Sequence, residues 1–201
     1  MINLKNFYKK KFNIHGPCLR GVAWSDTEKS RKRYKVLLKV TKFLGDKKNF
    51  SLLDVGCGYG ELTKYLPKKK FKYYGIDVIE EMIEYSKNKY KNKNYNFKVL
   101  DVLNLSKSYD FIICNGIFTL KNNLTNEQMN IFFKKCVNIF YKYSNIGFSF
   151  NVMSEVVDYK SNILFYPKLF SILKILEKKK ISKIIIDNES INYETTIFIK
   201  K

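Results

Sequence analysis

The sequence predicts an α/β fold with a mostly parallel sheet, and three observations support this prediction. Strand-like and helix-like segments alternate along the chain with short connections, which is typical of βαβ units. The segment YDFIICN, residues 109–115, is too apolar to have one solvated face and therefore predicts a central strand. The last two strand-like segments, residues 182–187 and 194–200, lie too close together for a crossover helix and must pair antiparallel.

The elements are predicted in order from the N-terminus. Residues 1–24 show no regular pattern and predict an irregular start, and a helix that is capped by Asp26 or Thr27 and extends to residue 44 follows. The first five strands are expected at residues 50–55, 72–77, 96–101, 109–115 and 145–153. Further helices are expected at residues 60–66, 78–90, 126–141 and 167–179, and Pro67 is expected to end the first of them. No linker is visible, so we expect one domain over residues 1–201, with residues 1–45 as an N-terminal lid or helix extension.

The composition limits the class of protein. A chain of 201 residues with 45% hydrophobic residues can bury a full core without disulfides or metal. No apolar run reaches the roughly 18 residues that a membrane span needs, and the N-terminus lacks the apolar core of a signal peptide. The four cysteines lie far apart and the chain has one histidine, so we expect no metal site, no disulfide framework and a cytoplasmic location.

The formal charge of +20 raises the question of a nucleic-acid partner. Only three of the 38 basic residues are Arg, and the Lys residues are scattered over every predicted helix and turn. A dedicated nucleic-acid binder is expected to cluster its charge and to use Arg for bidentate phosphate contacts. A nucleic-acid partner is therefore disfavoured, while the same positive field suits a small anionic substrate.

The segment SLLDVGCGYGEL, residues 51–62, predicts a strand followed by a glycine-rich turn. A turn that binds pyrophosphate has the spacing G-x-G-x-x-G, but Glu61 stands here where the third glycine would fall. An acid at that point repels pyrophosphate, whereas Asp54, ahead of the turn, suits a ligand with a cationic amine.

Polar residues end four consecutive predicted strands, and the carboxyl ends of parallel strands form the ligand-binding edge of such sheets. These residues are Asp54, Asp77, Asp101 and the pair Asn115 and Gly116. A carboxylate can accept hydrogen bonds from the two hydroxyls of a ribose. S-adenosylmethionine has an ammonium, a ribose diol and an adenine but no phosphate, and it therefore fits this pattern.

Four segments together resemble class I S-adenosylmethionine-dependent methyltransferases: LLDVGCGYGEL, YYGIDVIEEMI, KVLDVL and YDFIICNGIF. The resemblance implies a Rossmann-like, seven-stranded sheet of order 3-2-1-4-5-7-6, with S-adenosylmethionine as cofactor and S-adenosylhomocysteine as product. It also implies that ten residues hold the cofactor: Asp54, Gly56, Cys57 and Gly58 at the methionine end, Asp77 and Val78 at the ribose and adenine, Asp101 and Val102 at the adenine, and Asn115 and Gly116 below the methyl group.

The N-terminal segment HGPCLRGVAWSDTEKSRKRYKVLL resembles the lead-in of a subgroup that includes small methyltransferases of surface-polysaccharide biosynthesis, among them enzymes for capsule methyl-phosphoramidate. The match is partial, because Ala23, Ser30 and Tyr34 depart from that pattern. Arg33 keeps the Arg position, and the resemblance implies a bidentate contact with the cofactor carboxylate. The alternative for Arg33 is a solvated helix face among neighbouring basic residues.

A hydroxyl acceptor must lose a proton, and His15 is the candidate base because its ordinary pKa lies near neutrality. The alternative is that His15 is a loop residue with no chemistry. If the acceptor is already an anion, no base is needed and catalysis rests on proximity. Four aromatic residues are expected to wall the acceptor pocket, although most aromatic residues of this chain must belong to the core: Tyr8, Trp24, Tyr159 and Tyr166.

We therefore expect methyl transfer, O-directed, to a small anionic or hydroxylic acceptor such as a sugar, nucleotide-linked or phosphoramidate intermediate of surface-glycan biosynthesis. An RNA or DNA methyltransferase is the alternative that the charge suggests, but the segment NGIF at residues 115–118 lacks the two prolines of amino-directed enzymes. A non-catalytic cofactor-binding protein is the third hypothesis. A metal-dependent enzyme is disfavoured, because Asn115 stands where that class has a carboxylate ligand. The chain is expected to be a monomer or a homodimer.

Overall fold

A seven-stranded sheet forms the centre of the molecule, in a computed structural model that describes residues 2–45, 49–66 and 71–201. Its strand order is β3-β2-β1-β4-β5-β7-β6, which confirms the predicted order. The first five strands pair in parallel, and β7 runs antiparallel to both β5 and β6. The strands are β1 Phe50–Val55, β2 Phe71–Asp77, β3 Tyr95–Val99, β4 Tyr109–Cys114, β5 Ser144–Met153, β6 Lys183–Asp187 and β7 Glu194–Lys200.

Helices flank the sheet on both faces. The α-helices are α1 Ile2–His15, α2 Thr27–Leu37, α3 Glu80–Lys89, α4 Asn126–Tyr143 and α5 Leu169–Leu176. Short 3₁₀ helices cover Leu19–Val22, Leu38–Leu44, Glu61–Tyr65 and Val102–Asn104. No helix among these described segments is long and apolar enough to cross a membrane.

The predicted irregular start is wrong, because residues 2–15 form helix α1. Leu4, Tyr8 and Phe12 recur at four-residue spacing, which places them on one face of a helix. Leu4 and Phe12 are buried, so this face packs on the rest of the fold. The spacing was present in the sequence but is diluted by the many Lys and Asn residues of this segment.

Two other helix predictions need correction. The helix expected at residues 60–66 is a 3₁₀ helix, Glu61–Tyr65, that begins after Gly60 in a left-handed conformation. Its predicted stop at Pro67 lies outside the described residues. Asp26 caps α2 as predicted, since its Oδ1 accepts a hydrogen bond from the Lys29 amide at 2.9 Å, but the α-helix ends at Leu37 and continues as a 3₁₀ helix.

The core lies on both faces of the sheet and is centred on β4, as the apolar sequence of that strand predicted. Phe111, Ile112 and Ile113 are fully buried. One face packs against α4 and α5, and the other packs against α2 and α3. This arrangement leaves the carboxyl ends of β1 to β4 as the edge where a ligand can bind.

Candidate functional site

A cavity of about 280 Å³ lies at the carboxyl ends of β1 to β4. Ten of the eleven predicted cofactor residues line it: Asp54, Gly56, Cys57, Gly58, Asp77, Val78, Asp101, Val102, Asn115 and Gly116. Parallel strands bring these residues together because their carboxyl ends meet at one edge of the sheet. The volume is close to the lower end of the range for small-molecule sites.

The glycine turn after β1 forms one wall of the cavity. Gly56 and Gly58 have φ values of +71° and +54°, which only glycine adopts without strain. The Gly56 and Cys57 amides both donate to the Ile76 carbonyl, at 2.9 and 3.0 Å, and so tie the turn to the end of β2. A Cβ at Gly56 would clash with Cγ2 of Ile117. The turn therefore needs glycine both for its conformation and for its close approach to the segment after β4.

Asp54 lies almost fully buried near the end of β1, with 3% of its surface exposed. Its Oδ2 accepts a hydrogen bond from the Tyr73 hydroxyl at 2.8 Å. Burial raises the pKa of Asp54 to about 7, with a smaller contribution from Asp77, while the Tyr73 hydrogen bond opposes the rise. A carboxylate in this position gains from a nearby cation, because an opposite charge favours its ionised form.

Asp77 ends β2 and accepts two backbone hydrogen bonds. Its Oδ2 accepts from the Gly58 amide at 2.9 Å and its Oδ1 accepts from the Ile79 amide at 3.0 Å. Burial raises the pKa of Asp77, and these backbone donors and Lys5 oppose the rise. Each carboxylate oxygen has a second acceptor site, so the group can still accept two ligand hydroxyls.

Asp101 has a structural role as well as a place in the lining. Its Oδ1 accepts a hydrogen bond from the Leu103 amide at 2.9 Å and caps the 3₁₀ helix Val102–Asn104. The cap fixes the carboxyl group just after the end of β3, where it lines the cavity together with the apolar side chain of Val102. This pairing of an acceptor with an apolar surface suits a flat heterocycle that carries an amino group.

Asn115 is the most informative side chain of the floor. Only 7% of its surface is exposed, and neither Nδ2 nor Oδ1 has a hydrogen-bond partner among the described residues. A buried amide without partners is unfavourable by about 1–3 kcal/mol. Its donor and its acceptor are therefore available to a ligand in the cavity.

Arg33 does not line the cavity. Its Nε donates to Oε2 of Glu194 at 2.8 Å, and one Nη also donates to Glu194. Its guanidinium stacks over the Trp24 ring at 4.7 Å from the ring centroid. The predicted contact between Arg33 and a cofactor carboxylate stays a prediction.

The structure brings two of the four predicted acceptor-pocket residues to the cavity, Tyr8 from α1 and Trp24 from the segment before α2. Tyr159 is 79% exposed, and Tyr166, whose hydroxyl accepts from the Ser161 amide, also lies outside the lining. His15 is exposed at the end of α1 and is not part of the lining. Substrate and base roles for these three residues stay predictions that the geometry does not support.

Several lining residues were not predicted as site residues. They include Leu4 and Lys5 of α1, Tyr34 of α2, and Tyr59 and Glu61 of the glycine turn. The spacing of apolar residues in α1 was the signal for Leu4. Tyr34 stacks on Tyr65 with ring centroids 5.4 Å apart, a contact between distant segments that had no local signal in the sequence.

The charge of the lining is opposite to that of the chain. The side chains that line the cavity include four carboxyl groups, Asp54, Glu61, Asp77 and Asp101, against one cation, Lys5. The net charge of +20 is therefore not concentrated in this cavity. No group of three or more His, Cys, Asp or Glu side chains in the described part of the chain could hold a metal ion.

The fold and the site together define a doubly wound α/β protein with a cavity for a small ligand at the strand ends beside a glycine turn. The sequence model of a family described as "Methyltransferase domain" matches residues 46–159, more than half of the chain. The chain belongs to this methyltransferase domain family.

Relatives and solved structures agree with this assignment. A protein of Mycobacterium tuberculosis named as a methyltransferase, Rv1506c, is 25% identical over 156 residues, which are 76% of this chain and 93% of that protein. A malonyl-[acyl-carrier protein] O-methyltransferase of Priestia megaterium is 33% identical over 128 residues, 62% of this chain and 45% of that protein. The chain thus spans less than half of this second relative.

Two solved structures share the fold over nearly the whole chain. Magnesium protoporphyrin IX methyltransferase from Synechocystis PCC 6803, with bound SAH, has a TM-score of 0.73 and 15% identity, covering 100% of this chain and 99% of that one. The N-methyltransferase NodS from Bradyrhizobium japonicum WM9, in complex with S-adenosyl-L-homocysteine, has a TM-score of 0.70 and 15% identity, with coverages of 99% and 98%. At this identity the likeness shows the fold.

Proposed function

We propose that the protein is a methyltransferase that binds S-adenosylmethionine in the strand-end cavity and releases S-adenosylhomocysteine. The observation that carries this proposal is the order of carboxyl groups along one cavity: Asp54, Asp77 and Asp101 at the ends of β1, β2 and β3. Asp54 would hold the ammonium, Asp77 the ribose hydroxyls and Asp101 the adenine amino group. When bound, the cofactor supplies an electrophilic methyl group on a sulfonium.

We propose a small hydroxylic acceptor. Of the two acceptor chemistries expected from the sequence, the lining disfavours an anion, because Glu61 balances Lys5 once Asp54, Asp77 and Asp101 hold the cofactor, and no surplus positive charge is left for the acceptor. The unpaired amide of Asn115 can donate to and accept from a hydroxyl, which is itself both donor and acceptor. A sugar hydroxyl of a surface-glycan intermediate is our proposed acceptor, supported by the partial resemblance of the N-terminal segment.

Transfer to oxygen is also part of this proposal, and several relatives named as O-methyltransferases support it. A hydroxyl must lose its proton, but no residue that the structure places at the cavity is assigned as the base. His15 stays a prediction for that role, as does a cytoplasmic location. Without a base, the contribution of the chain is to hold two reactants together and in line.

The adenine contact of Asp101 gives a direct test of the cofactor. We expect isothermal titration calorimetry to show that the native protein binds S-adenosylhomocysteine and rejects its inosine analogue, in which an oxygen replaces the amino group. Asp101→Asn should reduce or reverse this preference, because an amide can donate to that oxygen and can still cap Leu103. Asp26→Asn, a change at the exposed cap of α2, is the matched control and should keep the native preference.

Turnover assays with different acceptors distinguish a small-molecule methyltransferase from a non-catalytic protein and from a nucleic-acid methyltransferase. We expect release of S-adenosylhomocysteine with neutral sugars and glycosides as acceptors and none with phosphorylated or carboxylated analogues of the same size. Cofactor binding without turnover on any acceptor would favour a non-catalytic protein. Methylation of RNA or DNA would favour the nucleic-acid alternative, and native protein that does not bind S-adenosylhomocysteine would contradict the whole proposal.

A further inference from the structure

A buried chain of hydrogen bonds supports the floor of the cavity from outside the lining. The Gly116 amide donates to Oδ1 of Asn151 at 2.8 Å, and Nδ2 of Asn151 donates to Oε2 of Glu194 at 2.9 Å. Arg33 completes the chain by donating to the same carboxylate. Asn151 and Glu194 are 1% and 2% exposed, so water does not compete for these contacts.

Two further contacts, both made by Trp24, close this chain of hydrogen bonds into a ring at Gly116. The Arg33 guanidinium stacks on Trp24, and a Cβ at Gly116 would lie 2.9 Å from Cζ2 of Trp24, so the indole lies directly against that glycine. We call these residues the polar ring: Trp24, Arg33, Gly116, Asn151 and Glu194. The polar ring joins the N-terminal segment, the end of β4, strand β5 and the first residue of β7.

The carboxylate sets the direction of every hydrogen bond in the polar ring. An ionised carboxylate only accepts, so the Asn151 amide must present its NH₂ group to Glu194. The Asn151 oxygen is then the atom that faces the Gly116 amide, which only donates. Lys29, with its Nζ 3.9 Å from Oε1 of Glu194, places a second positive charge beside the carboxylate.

A buried ion pair is by itself weak evidence for stability, because desolvation offsets much of the attraction. The position of the Arg33–Glu194 pair next to the floor of the cavity fits a role in orienting the floor better than a role in stability. Gly116 has a φ of +83°, and the side chain of the preceding residue, Asn115, has its buried donor and acceptor unpaired at the cavity. The direction of that side chain depends on the peptide that the Asn151 oxygen holds.

We propose that Glu194 is a positioning residue for the ligand site. It orients Asn151, which fixes the Asn115–Gly116 peptide of the floor, and it holds Arg33, which fixes Trp24 in the wall. The inference rests on the proposed function only because S-adenosylhomocysteine is the ligand used to probe the cavity.

Glu194→Gln tests the proposal, since a glutamine side chain keeps the shape but can donate and so removes the fixed direction. We expect the dissociation constant for S-adenosylhomocysteine to rise about tenfold, the effect of one lost hydrogen bond to a charged group. The fluorescence emission of Trp24, the only tryptophan, should change, and hydrogen exchange of the Gly116 amide should accelerate.

The matched control is Asp187→Asn, which neutralises another acid of the same hairpin, paired with Lys39 at 3.1 Å. It should leave all three measurements unchanged.

Local exchange distinguishes positioning from general destabilisation. A structural effect alone would accelerate the amides of the core, such as Ile112, together with Gly116. The double variant Arg33→Met with Glu194→Gln guards against misfolding, because it leaves no unpaired charge in the core, and it should show the same loss. Affinity within about twofold of native together with unchanged Gly116 exchange, in either variant, would overturn the proposal. If the native protein does not bind S-adenosylhomocysteine, the proposed function fails, while Gly116 exchange and Trp24 emission still test the polar ring.

Discussion

At the scale of single residues, Asp54 shows how burial prepares a side chain for a charged ligand. Its raised pKa of about 7 means that, without ligand, the folded protein holds the proton more strongly than the unfolded chain does. The stronger binding of this proton therefore stabilises the folded protein. The contribution of Asp54 to the free energy of unfolding is complete below its ordinary pKa of 3.8 and is lost as the pH rises through about 7. A ligand ammonium reverses this preference because it stabilises the ionised carboxylate.

We therefore predict that affinity for S-adenosylhomocysteine increases as the pH rises to about 7 and then levels off. Below that value the slope should approach about tenfold for each pH unit, since one proton must leave on binding. Calorimetry between pH 5 and 8, in roughly one-unit steps, measures the profile. Asp54→Asn should bind more weakly and with a flatter profile, while it can still accept the Tyr73 hydroxyl.

Asp77 also has a raised pKa, so the variant is needed to assign the titration. Equal slopes for the native protein and Asp54→Asn would assign it to another group and would contradict the proposed contact between Asp54 and the ammonium.

The cofactor residues at the strand ends could be predicted from sequence because each lies at a fixed place in an ordered set of motifs. The assignment of one residue therefore strengthens the assignment of the others. His15, Tyr159 and Tyr166 had no such context, and the structure does not bring them to the cavity. Glu194 could not have been found, because its partner Arg33 is 161 residues away and the pair has no local pattern. Pairing of this kind is visible only once the chain is folded.

At the scale of elements, helix α1 closes one side of the cavity. Leu4, Lys5 and Tyr8 belong to the lining, and Phe12 packs with Tyr59 of the glycine turn and with Met82 of α3. The exposed ion pair between α1 and α3 adds little, because solvent screens such pairs. The apolar contact of Phe12 is therefore expected to hold the helix in place.

We predict that Phe12→Ala accelerates dissociation of S-adenosylhomocysteine by about tenfold or more, because truncating a buried aromatic side chain favours undocking of α1. Ile14→Ala is the matched control on the same helix, since Ile14 is 62% exposed. Stopped-flow fluorescence of Trp24, which lies in the wall, measures the rate. Equal dissociation rates for the two variants would show that α1 does not limit ligand release.

The strands were predicted more closely than the helices for a physical reason. An apolar run such as Phe50–Val55 has to be buried on both faces, and its limits follow from composition alone. Helix α1 is amphipathic over a narrow stripe, and the short 3₁₀ helix Glu61–Tyr65 is a tighter turn than an α-helix but can be formed by the same residue types. Neither distinction is strong in a sequence so rich in lysine.

At the scale of the whole molecule, the charge on the chain and the charge in the cavity have opposite signs. The scattered lysines produce a net charge of +20, while the lining is mostly acidic. Exposed charges act over about one Debye length, near 8 Å at physiological salt, so most of this field is screened. Binding in the cavity and binding to the outer surface should therefore respond differently to salt.

We predict that the affinity for S-adenosylhomocysteine changes by less than about twofold between about 50 and 200 mM NaCl, because the ligand is a zwitterion held by short contacts. A nucleic acid bound through six or more phosphates should lose about a thousandfold in affinity over the same range. Fluorescence anisotropy of labelled single-stranded RNA and duplex DNA, beside calorimetry of the small ligand, measures both responses. Asp54→Asn should lower the affinity for S-adenosylhomocysteine and leave any nucleic-acid binding unchanged, because the two ligands would occupy different surfaces. Tight RNA binding that persists at the higher salt concentration, or that the cavity variant abolishes, would instead place a nucleic acid at the cavity and would favour it as the methyl acceptor.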